Sequence, residues 1–383
     1  MKTNLFTLAI LCFVAGLFLF NILINQSVYT TPFADKFYTD TYNHSQWVIP
    51  ESQKIITDEQ LYTLAGYRYI RGENPILLNA EAPPLGKYLI GISIIFFHNS
   101  AVASVVFALL CLLLTGLILA EVTRSFLAAA VGVLLVQVNS LFIDQYIHAP
   151  QLDIFQLFFF LVAVYALYHY LNGRKQRWLL IMSIGGGGFI STKIFFLSFL
   201  LFNAWVATVF FVRKTPVFRL IKDMLLVNFG AFTFYLAVYF QYFLHRGTLR
   251  GFFGAQKWIV TFYSSSPIQI SRLFGSYINL LFLNRWQFWS KGYPIIHYQS
   301  WNLFWPLSFI FGLLAVMKLL GRKTPASSHL LTAILLPFFI IYNIYLFIVP
   351  VYPRYFLLLF IPLYLLAAVY FGTIGSNEKG TAS

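Results

Sequence analysis

Long apolar runs, each close to twenty residues and separated by short basic segments, constrain this chain more than any other feature in it. About 20 consecutive apolar residues are needed to cross the hydrocarbon core of a bilayer as a helix. Only helices and closed barrels satisfy their backbone groups there. The 383 residues are 59% hydrophobic and 10% charged, with a mean hydropathy of +0.74. Those values exclude an ordinary soluble domain. The expected fold is all-α, a polytopic helical membrane protein forming one membrane-embedded domain over residues 1–383. The formal charge of +14 would suggest a nucleic-acid partner in a soluble protein. Here basic cytoplasmic loops account for much of it, and no nucleic acid is expected. Cys12 and Cys111 both lie inside apolar runs, so neither a disulfide framework nor a zinc site is readable.

The runs predict ten spans, at about residues 5–24, 101–120, 126–142, 154–171, 178–192, 194–212, 224–244, 303–316, 330–349 and 355–371. A cleaved signal peptide is the rival reading of the first. That run is long for one, and no small-x-small cleavage site follows it. Residues 88–97 are apolar but too short to cross, which suggests a helix at the interface. Basic residues mark the proposed inner side: Lys2, Arg124, Arg174, Lys175 and Arg177, then Arg213, Lys214, Arg219 and Lys222, then Lys318, Arg322 and Lys323. Two long loops, 25–84 and 245–302, then lie outside.

The first outer loop holds seven of the chain's twelve acids: Asp35, Asp40, Glu51, Asp58, Glu59, Glu73 and Glu81. Its last part, residues 57–87, is the most polar long stretch in the chain. Thr57–Asp58–Glu59–Gln60 fits a capping box at the start of a helix, and Gly72 fits its stop. Asp58 and Glu59 sit in the first turn, where the helix dipole favours negative charge. That keeps Asp58 ionised, as a metal ligand or proton acceptor must be. Glu81 precedes Pro83–Pro84–Leu85–Gly86–Lys87, where two prolines suggest a stiff extended elbow.

The second long loop has the opposite character. It carries Arg246, Arg250, Lys257, Arg272, Arg285 and Lys291 with no acid, among Trp258, Tyr263, Trp286, Trp289, Tyr293, Tyr298 and Trp301. A phosphorylated lipid suits the cations and a sugar suits the rings. A hydroxyl or amine acceptor needs a carboxylate to orient or deprotonate it. A divalent cation, if used, needs carboxylate oxygens. Plainer readings stand beside these. Aromatic residues near span ends form interfacial belts, and loop cations sit among anionic lipid heads. Asp35 and Glu73 read as solvated charges, and His148 as a polar loop residue rather than a ligand. Lys193 interrupts an apolar run, and an ionisable group at that depth suggests function. The alternative is snorkelling to the interface.

Several of these residues resemble the protein O-mannosyltransferase family and the related bacterial aminoarabinose transferases. They are Asp58–Glu59, the spacing to Glu81 and to Pro83–Pro84–Leu85–Gly86–Lys87, Leu152–Asp153, Ser191–Thr192–Lys193 behind a flexible Gly185–Gly188 run, and Tyr352–Pro353–Arg354–Tyr355. Both families are GT-C membrane glycosyltransferases that use polyprenyl-phosphate sugars. The resemblance covers roughly residues 1–201 and is weak afterwards. It implies a GT-C fold and transfer of a sugar from a polyprenyl- or dolichyl-phosphate carrier to a glycan, lipid or protein acceptor at the outer or luminal face. By the same resemblance Asp58 and Asp153 are the catalytic acids of the first two outer loops. Lys87, Lys193 and Arg354 face the donor phosphate, Glu59 lies at the substrate, and Glu81 is placed as a ligand to a divalent cation. The implied location is the plasma (inner) membrane of a prokaryote or the endoplasmic reticulum membrane of a eukaryote. Ala82 stands where relatives often have His or Lys, and Gln151 where many have Arg. The rival reading is non-catalytic: a lipid-linked sugar flippase or a degenerate homologue. A transporter would place polar groups through the midplane, and apart from Lys193 these spans lack buried charge, which favours surface chemistry.

Overall fold

A computed structural model describes residues 5–173, 175–265, 268–290, 292–322 and 324–380, with side chains to residue 374. Lys2, Arg174, Lys291 and Lys323 lie outside the described residues. The fold is all-α and polytopic. Among the described residues the only strands are Trp286–Gln287 and Ile295–Ile296, one short antiparallel pair in the second long loop.

Among the described residues seven helices are long and apolar enough to cross a membrane: Leu5–Ile24, Val102–Thr123, Asp153–Gly173, Phe195–Val212, Val217–Val238, Ala326–Ile348 and Pro353–Ile374. Helices Phe126–Gln137 and Ser140–Ile147 pass the test as a pair but bend by 63° between them, which makes up to eight. The other two expected spans correspond to helices too short for the criterion. Arg177–Thr192 has 16 residues and Phe304–Leu320 has 17. Leu85–Phe97 is a separate 13-residue apolar helix, as its length requires.

Packing around the first outer loop is close because glycines permit it. A Cβ on Gly66 would come within 2.5 Å of the Lys87 carbonyl oxygen, and one on Gly91 within 2.2 Å of the Gly66 carbonyl oxygen. Helix Asp58–Ile70 therefore lies backbone to backbone on helix Leu85–Phe97. The Gly185–Gly188 run, expected to be flexible, is instead buried within helix Arg177–Thr192. A Cβ on Gly185 would meet the Ala163 backbone nitrogen at 2.7 Å. The run is a packing surface against helix Asp153–Gly173, and its burial outweighs the poor helix propensity of glycine.

The prolines also differ from expectation. Pro84 has φ −82° and ψ −10° and serves as the N-cap of helix Leu85–Phe97. The elbow is thus a turn into a helix rather than an extended arm, since the fixed φ of proline suits a helix start. Helix Asp153–Gly173, 21 residues long, has Asp153 at one end and the segment with Lys175 and Arg177 beyond the other. At 1.5 Å per residue the two ends stand roughly 30 Å apart, about one hydrocarbon thickness.

Candidate active site

Asp58 is the first residue of helix Asp58–Ile70. The Thr57 side chain accepts from the Gln60 backbone N–H, and the Gln60 side chain accepts from the Thr57 N–H, so the capping box is complete. This fixes the helix start. Arg354 comes from a single 3-10 turn, Pro353–Phe356, that leads into the last span. Its guanidinium Nη2 donates to Asp58 Oδ2 at 2.6 Å. Its Nε lies 3.7 Å from Asp153 Oδ2. Asp153 begins its helix and is buried, and the Lys193 ammonium donates to its other oxygen. Lys193 follows Thr192 at the end of a helix and does not snorkel; its charge is spent within the protein.

Asp58, Arg354, Asp153 and Lys193 thus form a line of alternating charge drawn from four distant segments. Aromatic rings flank the cations. Arg354 lies over the Tyr352 ring at 5.1 Å and Lys193 over the Tyr355 ring at 4.2 Å, distances at which a cation is attracted to a ring face. The Nε–H of Arg354 is buried and finds no hydrogen-bond acceptor among the described residues. A buried donor of this kind is costly unless a partner arrives.

A second polar group sits at the elbow. The buried Lys87 ammonium donates to the Asn79 carbonyl at 2.6 Å and to the Ala82 carbonyl at 2.7 Å. Glu81 accepts from the Asn79 side-chain amide through Oε1, while its Oε2 and the Asn79 Oδ1 are buried without partners. Burial pushes the Glu81 carboxyl up, against the attraction of Lys87. Burial pushes the Lys87 ammonium down to about 7, against the attraction of Glu81 and Asp58. The charges of Glu81 and Asp58 act on each other as well. This donor set suits a divalent cation poorly. The charged group beside Glu81 is an ammonium, and among the described residues no group of three or more His, Cys, Asp or Glu gathers.

Two cavities share a wall beside the alternating line. One, of about 460 Å³, is lined by Asp153, Lys193, Arg354 and apolar residues such as Leu201 and Leu358. The other, of about 1580 Å³, is a larger, mainly apolar groove between the start of helix Phe195–Val212, helix Leu249–Ser264 and residues 349–355. Ile194, Leu197, Tyr345 and Tyr355 line both.

Residues 81–242 match the family model of dolichyl-phosphate-mannose-protein mannosyltransferase. Over that stretch the chain is similar to this family, in line with the resemblance read from its sequence. The match spans less than half of the chain and includes Glu81, Lys87, Asp153 and Lys193. Asp58 and Arg354 lie beyond it and join the site through the fold. No curated protein matches the chain significantly.

Of the residues singled out from sequence, Asp58, Asp153, Lys193 and Arg354 come together, and Glu81 with Lys87 forms a neighbouring pair. Glu59 makes no ion pair among the described residues. Arg272 is a loop staple, donating to the Ser290 carbonyl at 2.8 Å. Asp35 and Glu73 flank Arg68, at 3.5 and 3.0 Å, rather than standing free in solvent. Sequence reasoning missed Tyr352 and Tyr355 as cation partners, although both flank Arg354 in the quoted motif. It also missed Asp144, which is buried, bonded to His148, and accepts from the Tyr298 hydroxyl at 3.2 Å. Only the i, i+4 spacing of Asp144 and His148 signalled that pair.

Proposed function

We propose that this chain transfers a sugar from a polyprenyl-phosphate carrier to an acceptor hydroxyl on the outer or luminal face of its membrane. The observation that carries this reading is the junction of a long apolar groove with Lys193 and Arg354, one of them holding a buried and unpartnered donor. A polyprenyl tail fits the groove, and its phosphate then lies beside the two cations. Arg offers phosphate a planar fork of donors, while Lys acts as a point charge. The acceptor oxygen forms a bond to the anomeric carbon as the bond from that carbon to the phosphate oxygen breaks. Asp58 takes the acceptor proton, and the lipid phosphate leaves with the extra negative charge. Arg354 and Lys193 stabilise that charge, and Asp153 holds both cations in position. Fixed charges in a poorly hydrated site are the usual source of the largest catalytic term. Lys87 supports the Glu81 elbow from below rather than touching phosphate. No step is routed through a metal.

The test is the release of lipid phosphate from a panel of polyprenyl-phosphate hexoses and pentoses, using the full chain in detergent. The parent should cleave at least one donor. Asp58→Asn preserves size and helix start but removes the base, and should lower turnover by at least about a hundredfold, the lower range for general-base catalysis. Equal turnover in Asp58→Asn would remove Asp58 from the reaction, and no cleavage of any donor by the parent would sink the reading itself.

A further inference from the structure

Beside helix Leu249–Ser264, which also borders the donor groove, lies a third cavity, of about 770 Å³. Its walls include Tyr42, Trp47, Ile76, Glu81 and Trp258. Neither the family resemblance nor the reaction above gives it a role. We propose that it is the acceptor subsite and that it takes a pyranose residue of a glycan or glycolipid acceptor, an assignment that rests on the transferase reading above.

Glu81 contributes to the wall with its side chain more than nine-tenths buried, yet its Oε2 has no partner, and neither has Oδ1 of Asn79 beside it. Buried polar atoms in native proteins are nearly always bonded. The Glu81 carboxylate on the cavity wall therefore calls for an occupant that brings a donor. A cation is disfavoured, because Glu81 is the one acid among the described residues that line the cavity. Neutral hydroxyls meet the need without adding charge.

The remaining walls fit the rest of a sugar ring. Trp47 and Trp258 both stack on Phe262, at 6.4 Å and 30° and at 5.4 Å and 22° between ring centroids and planes. The Trp258 side of this ladder is about half exposed. A pyranose has flat apolar C–H faces and a rim of hydroxyl groups. Indole faces match the former and the orphaned oxygens match the latter, the usual division of labour in a ligand pocket.

Position links the cavity to the chemistry. The Tyr263 hydroxyl donates to the Glu81 carbonyl at 3.5 Å, and Tyr263 also lines the donor groove. The charges of both Glu81 and Asp58 act on Tyr263, whose hydroxyl is pushed up by burial first and by those charges second. Helix Leu249–Ser264 therefore borders both spaces, with Ala255 and Trp258 on the cavity and Ile259 and Tyr263 on the groove, and Tyr263 ties the cavity to the charge of Asp58.

The test measures equilibrium binding to the full chain in detergent by saturation-transfer NMR. The probes are methyl α-mannopyranoside and methyl α-galactopyranoside, a Ser/Thr hexapeptide, and trimethylamine. At least one glycoside should bind, and Trp258→Ala and Glu81→Gln should each weaken it at least tenfold. Trp258 is half exposed, so its variant should fold, as checked by elution and far-UV spectrum against the parent. Binding of the peptide alone would make the cavity a protein-acceptor site, and binding of the amine alone an aromatic cation cage; either overturns the proposal. So does glycoside binding that both variants retain, or no binding of any probe. Donor cleavage by the parent is read separately. Glycoside binding without any donor cleavage would defeat the transferase reading while leaving the sugar site standing.

Discussion

The two charged groups of the candidate site are built in different ways. Glu81, Asn79 and Lys87 are neighbours in sequence, held by one turn and two backbone carbonyls. Asp58, Arg354, Asp153 and Lys193 come from four segments, and the pair that closes the line is 296 residues apart. The local group is buried and its ammonium is fully committed to the protein. The long-range group opens on cavities and keeps an unpartnered donor. The difference separates a group with spare acceptors from one with a spare donor, and only the second holds free capacity for an anion.

The largest test of that contrast is Arg354→Ala. Removing one partner of a hydrogen-bonded, largely buried charge pair costs about 2–5 kcal/mol. Apparent affinity for a polyprenyl-phosphate sugar should fall by roughly a hundredfold or more. Arg272→Ala, which loses only loop carbonyl contacts, should leave donor affinity within about twofold, as surface substitutions usually do. Equal affinities for the parent and Arg354→Ala would move the phosphate site elsewhere and dissolve the distinction.

Lys87→Met should show the reverse. It leaves the Ala82 carbonyl without its donor and the Asn79 carbonyl with only the long contact from the Tyr69 hydroxyl, and it removes a positive charge near Glu81. Leaving a buried polar group unsatisfied costs about 1–3 kcal/mol of stability, measurable as a lower unfolding midpoint in detergent. Any donor protection that survives, read from stabilisation by added polyprenyl phosphate, should match the parent. Unchanged stability with lost donor protection would make Lys87 a phosphate ligand after all.

What sequence could show follows the same line. The helix start at Asp58 was legible because a capping box is a four-residue pattern whose partners are all local. The glycine run was misread because flexibility is a property of glycine in isolation, whereas its role here depends on the Ala163 backbone, which no window around Gly185 contains. The Pro84 turn was misread because proline fixes φ but leaves ψ to its surroundings. Ten spans are expected from the apolar runs, but the runs near 178–192 and 303–316 fold as helices of 16 and 17 residues, short of the roughly 20 that cross a bilayer. Asp153 and Arg354 were suspected singly from motif residues. Their meeting depended on two helix starts converging, which periodicity does not encode.

The smallest expected effect concerns His148, near the same face. The hydrogen bond to Asp144 raises its pKa above the ordinary value, with the Asp144 and Glu59 charges adding to this and burial opposing it. A raised folded-state pKa gives stability that is complete below about pH 6.5, the ordinary histidine value. That contribution is lost as pH rises through the raised value. The His148 side chain is 65% exposed, so solvent screens the pair. The difference in unfolding midpoint between the parent and His148→Gln should be small at pH 5.5 and should vanish by pH 9. A difference constant across that range would mean that packing, not charge, sets it.

The Arg354–Asp58 contact has a kinetic consequence. In the resting protein the proposed base is held by the same guanidinium that awaits the phosphate. An acceptor arriving first meets a carboxylate already engaged. A donor arriving first draws Arg354 toward its phosphate and hands Asp58 to the next substrate. On the proposed reading, turnover follows a compulsory order with donor ahead of acceptor, and one ion pair keeps the base out of use until there is a sugar to transfer.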